Sequence, residues 1–233
     1  MNTFAAAALM SLVAVTGVAT QARADDDGGA CSIPASVVSK VQGQLAVVVA
    51  MPDANGGLFS PNRMWSAIVD RKGRLCSVIA SDGDAWPGSR DIAIAKASTA
   101  NDFSNNKLAL STANLYAPTQ PGGSLYGLNN SNPFNPAFNA QGTGIGAVPG
   151  GIITFGGGVA LYHNGQVIGG LGVSGDSSCA DHAIAYRMRK NAGYGTVPSG
   201  VAPDKTDNIL YAPVGTAPTG FQQPHCFATD ITP

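Results

Sequence analysis

The sequence predicts an α+β domain in which helices pack on a single antiparallel sheet of about five short strands. Two observations lead there. Apolar residues recur at helical spacing in three stretches and at strand spacing in five. The strands are joined by tight turns rather than by helical crossovers, so neighbours run antiparallel. A third observation sets the scale: 233 residues suit one domain with an insertion.

The elements follow in chain order. A first helix starts near Ser32, which can cap the first-turn amides, with Pro34 in the first turn. Val37, Val38, Val41, Leu45 and Val48 form its apolar face, and Met51-Pro52 ends it. Met64 to Asp70 and Leu75 to Ala80 are strands, closed into a hairpin by Arg71-Lys72-Gly73-Arg74. Asp91 to Phe103 is an Ala-rich helix, with a short continuation over Leu108 to Leu115. From 118 to 149 Gly, Pro, Asn and Ser dominate. Tyr126, Phe134 and Phe138 punctuate this stretch, which marks an ordered insertion that covers something. Three strands come next: Gly151 to Phe155, Val159 to Tyr162, and Gln166 to Val173. Asn164-Gly165 supplies the positive φ that the last hairpin needs. A final helix runs from Ser177 to about Asn191, with Arg187, Arg189 and Lys190 near its C-terminus. The tail from 193 to 233 is Pro-rich and irregular.

Residues 1–24 read as a cleaved secretory signal. Phe4 to Ala19 is almost wholly apolar or small, and Ala22-Arg23-Ala24 precedes Asp25-Asp26-Asp27. The apolar run is shorter than the roughly 20 residues a membrane span needs. The mature chain is then expected over 25–233, in the periplasm or outside the cell, with no membrane span. Thirteen basic residues against 14 acidic ones, all of them Asp, give no field for nucleic acid. The absence of Glu excludes any chemistry that requires it. Cys31, Cys76, Cys179 and Cys226 contain no C-x-x-C pair, so zinc-ribbon and redox-motif readings fail. An even count in an exported protein predicts two disulfides. Three pairings are possible, and Cys31–Cys76 with Cys179–Cys226 is preferred. Each would close a loop worth roughly 4 kcal/mol in the chain-entropy model.

The run GGIITFGGGVALYHNGQVIGGLGVSGDSSCADH, 150 to 182, resembles the GlcG/HbpS family of small haem-binding or haem-degrading proteins. The carrying features are Gly150-Gly151, the Asn164-Gly165 turn, the Val167 to Gly175 strand, and Asp176 or Asp181 leading the last helix. Val69-Asp70-Arg71-Lys72-Gly73 is similar to the family's V-D-x-x-G hairpin, and Ala95-Lys96-Ala97-Ser98-Thr99-Ala100-x-x-Phe103 to its K-A-x-T-A helix. The resemblance spans roughly 34 to 192. It implies a profilin-like fold, a homo-oligomer, and haem as the ligand or cofactor. Thr99 matches a threonine that approaches haem in the haem-degrading members. The acidic E-x-x-E iron motif of some members cannot exist here.

The ligand-binding residues expected from these readings are Thr99, Lys96, Phe103, Ser174, Gly175 and His182. Thr99 and Lys96 would offer polar contact from a helix of small residues. The default reading of Lys96 on its own is a solvated lysine. The Ser174-Gly175 turn leads into a helix N-terminus, where backbone amides suit an anionic edge. His182 could be oriented by a carboxylate or be structural. Asp181 and His182 are adjacent on a helix and cannot serve a Ser-His-Asp triad, and no G-x-S-x-G elbow exists. No catalytic set or metal site is identified. Three functions remain: an exported binding protein for haem or a similar flat anionic small molecule; a haem-degrading or small hydroxy-acid-related enzyme; and an oligomeric accessory protein.

Overall fold

The computed structural model describes residues 30–233. The signal segment over 1–24 lies outside them. Among the described residues no helix is long and apolar enough to cross a membrane.

Four strands form the sheet, one fewer than the sequence predicts: β1 (Trp65–Asp70), β2 (Leu75–Ala80), β3 (Gly158–His163) and β4 (Gln166–Ser174). They are antiparallel throughout, in the order β2-β1-β4-β3. The strand expected over 151–155 does not form. Side chains take up amides within and just after it instead: Ile153 N donates to Thr99 Oγ1 at 2.9 Å and Gly156 N to Gln223 Oε1 at 2.7 Å. The helical continuation expected over 108–115 is also absent. There the backbone bonds Ser199, Ser104 and Gly158, and a single helical turn, α4 (Tyr116–Thr119), follows.

Helices cover both faces, which is the profilin-like layering. The first helical stretch is split at Gly43 into α1 (Ala35–Gln42) and α2 (Gln44–Val49). It starts later than Ser32. Ser32 does not cap it, because both its amide and its hydroxyl donate to Asp70 Oδ2. Asp70 is fully buried, and its other oxygen accepts from Lys72 N and Arg74 N. The V-D-x-x-G pattern is therefore a fastening: one carboxylate closes the β1–β2 turn and holds the N-terminal segment. α1, α2 and α5 (Ser178–Asn191) pack on one sheet face around Ile68, Leu161, Leu171 and Val173. α3 (Ser89–Asp102) lies on the other face against Trp65, Ala67 and Val69.

α3 touches β4 backbone to backbone. A Cβ at Gly170 would lie 2.1 Å from Ala97 O, and one at Gly172 would lie 2.0 Å from Ala93 O. Gly170 and Gly172 thus set the height at which α3 sits. Two disulfides, Cys31–Cys76 and Cys179–Cys226, hold the N-terminal segment to β2 and the tail to α5, in the preferred pairing. The 118–149 insertion turns back to the sheet edge, where Leu75 N donates to Ala147 O and Gly146 N to Leu75 O.

Candidate functional site

α3 organises the site. Its first-turn Arg90 is buried, a placement the helix dipole disfavours for a cation. The guanidinium is instead held by the insertion: Nη1 donates to Phe138 O at 2.7 Å and Nη2 to Thr143 O at 2.6 Å. These bonds strap residues 133–143 over the outward face of α3. Phe134 packs onto the apolar cluster that α3 shares with the sheet. Beneath it Gly151 has φ +92°, and a Cβ there would lie 2.7 Å from that of Ala95 and 3.2 Å from Phe134 Cδ2. Only glycine lets the 150–153 segment pass so close to the helix.

Between strap and helix lies a cleft of about 260 Å³, lined by Asp91, Ile92, Ala95, Phe134, Pro136, Asn139 and Ile153. It is mostly apolar, with one carboxyl, Asp91, whose pKa is raised by burial and held back by Arg90. Thr99 stands one helical turn beyond Ala95 and carries the cleft floor. Its hydroxyl donates to Ala95 O at 2.8 Å and accepts from Ile153 N. A larger hollow of about 650 Å³ between residues 117–125 and 218–221 is lined by Pro, Gly and other uncharged residues and offers no titratable group.

The six expected ligand residues are not brought together on one open surface. Thr99 is wholly buried under the cleft floor. Lys96 is not solvated: Nζ is fully buried, 2.6 Å from Asp181 Oδ2, and donates to Val173 O. Burial pushes Lys96 down and Asp181 up to about 6, with their mutual attraction opposing both. Phe103 is half-buried at the α3 C-terminus. Ser174 is buried, and at Gly175 a Cβ would meet Arg63 O at 2.1 Å. Three of the amides that follow this turn are already occupied. Asp176 N donates to Asp181 Oδ1, Ser177 N to Asp176 Oδ1, and Ala180 N to Ser177 Oγ. The chain's own side-chain oxygens, two carboxylates and the Ser177 hydroxyl, thus stand where an anion would bind. His182 is buried, accepts from Ile209 N at Nε2, and is pushed down to about 4 by burial. It anchors the tail and does not line the cleft.

Sequence reasoning anticipated Phe134 as a cover but missed Arg90 and Ile153. A basic residue at the start of a helix needs a partner from elsewhere in the fold, and that signal was present for Arg90. Ile153 belongs to a run whose side chains favour a strand, and that local signal hides its role as floor.

Known proteins resemble this chain. A structure of a PduOC:haem complex superposes with a TM-score of 0.52 at 28% identity, covering 71% of this chain and 98% of that one. The corrinoid adenosyltransferase PduO of Citrobacter freundii is 31% identical over 153 residues, 65% of this chain and 33% of PduO. Its counterpart from Salmonella typhimurium strain LT2 is 33% identical over 162 residues, 70% of this chain and 37% of that protein. The chain thus spans about a third of the length of these curated relatives. The haem-degrading protein HbpS-like family matches residues 60–189, more than half of the chain. The protein belongs to the HbpS-like family.

Proposed function

We propose that this is an exported binding protein for haem or a similar flat, apolar, anionic ligand, and that the ligand enters the cleft between α3 and the 133–139 strap. The observation that carries the reading is the likeness to the PduOC:haem complex, which extends over almost all of that chain. The cleft supplies a compatible surface: Ile92, Ala95, Phe134 and Ile153 present apolar atoms to a planar ring. About 260 Å³ is below the roughly 300–1,000 Å³ that encloses a whole small ligand. The cleft therefore grips one edge. Asp91 turns the ligand's carboxylates away, toward solvent. The apolar N-terminal segment and the two disulfides support export. The oligomeric habit of the resembling family supports a homo-oligomer.

Titration of the full chain with hemin, followed by visible absorption, tests the reading. Ile92→Trp fills the cleft from α3 and should weaken hemin binding tenfold or more while the fold is retained. Equal affinity in both chains would remove the cleft from consideration. A parallel titration with cobalamin separates haem from the corrinoids named for the relatives. Tighter cobalamin binding would replace haem with a corrinoid at the same cleft.

A further inference from the structure

The C-terminal tail carries an oriented imidazole that the α3 cleft does not use and that lies outside residues 60–189. The His225 ring stacks on Tyr211, with centroids 4.2 Å apart and planes 14° from parallel. Its Nδ1 lies 3.2 Å from Asp230 Oδ2. That carboxylate is almost fully buried and also accepts from Cys226 N and Phe227 N. Tyr211 is held in turn by its hydroxyl, which donates to Ile231 O. The carboxylate assigns the proton to Nδ1, which leaves the Nε2 lone pair available. A ring fixed by a carboxylate behind it and by an aromatic face is arranged as metal-ligating histidines are.

The surroundings narrow the ligand. His225 lines a hollow of about 480 Å³ together with Val214, Cys226, Phe227 and Ala228. Val214 and Phe227 are exposed apolar side chains. A bare metal ion finds one nitrogen here and little else, because the Cys226 sulfur is in a disulfide and the Asp230 carboxylate is buried, with Oδ2 shared by two backbone amides and the imidazole and Oδ1 closed off from the hollow's surface. A metal at this site must bring its other ligands with it, on an apolar body that fits the walls.

We infer that His225 Nε2 is an axial ligand for a metal already chelated by a flat apolar macrocycle, at a tail site separate from the α3 cleft. In the step, Nε2 donates its lone pair to the open axial position and a bound water leaves. No oxidation state changes, and the Nδ1 proton stays on Asp230's hydrogen bond. Asp230 is a positioning residue.

The test uses the full chain carrying Ile92→Trp, which silences the cleft, with hemin and metal-free protoporphyrin IX as probes. Hemin should bind with an imidazole-type Soret spectrum. Adding His225→Ala should abolish that spectrum and weaken hemin at least tenfold, without changing protoporphyrin binding, and free imidazole should restore the spectrum. Asp230→Asn, which keeps an acceptor oxygen, should weaken hemin about tenfold. The inference is overturned if the Ile92→Trp chain binds no hemin, or if His225→Ala leaves its spectrum unchanged. It is also overturned if both probes weaken equally. If parent and Ile92→Trp bind hemin alike and His225→Ala alone abolishes binding, the tail site stands and the cleft reading fails.

Discussion

Thr99 shows how one hydroxyl can serve both stability and a site. It donates to the preceding turn of α3 and accepts the Ile153 amide, so the cleft floor hangs on it. Thr99→Val keeps the volume and removes both bonds, leaving a partly buried amide without its acceptor. We expect a loss of about 1–3 kcal/mol in denaturant unfolding, and weaker hemin binding because the floor is no longer held. Unchanged stability would mean that the floor is supported elsewhere. The resemblance singled out Thr99 as a residue that approaches haem, whereas the structure places it beneath the surface. Lys96, Asp181 and His182 teach the same lesson. Their types suit ligand chemistry, but each is buried and bonded inside the chain. Burial and partner choice depend on the packing of α3, α5 and the tail, which residue type alone does not encode.

At the scale of elements, α3 and its strap form one unit. The periodicity of 91–103 located α3 to within about two residues, and Asn164-Gly165 located the β3–β4 turn, where both residues have positive φ. These were legible because their signals are local. The fate of 151–155 was not. Ile152, Ile153 and Phe155 have strand-forming side chains, but their neighbouring amides are captured by Thr99 and by Gln223 from far away in the chain. The insertion was legible as ordered, through its aromatics, yet what orders it is Arg90 on α3. Arg90→Ala removes donors to Phe138 O and Thr143 O and should free the strap while leaving the sheet intact. Proteolysis confined to 131–145, with near-native circular dichroism, is the expected outcome. Cleavage no faster than in the parent would show that the strap is held without Arg90.

Across the whole molecule, a four-stranded sheet covered on both faces is closed by two disulfides, one at each end of the described chain. The count and spacing of cysteines carried that pairing, since each bridge joins neighbours in sequence order. The late glycine run carried the family, because its glycines are dictated by the contact of α3 with β4. The tail was the least legible region. It has no periodicity, and its fastenings, Arg189 to Asp207 and His182 to the Ile209 amide, join groups that only the fold brings together. The proposed haem-like ligand is tested most directly by the visible spectrum of the protein purified from cells supplied with haem. A Soret band should co-elute with the protein at a fixed ratio and be diminished by Ile92→Trp; a colourless protein that also fails to take up added hemin would overturn the haem reading.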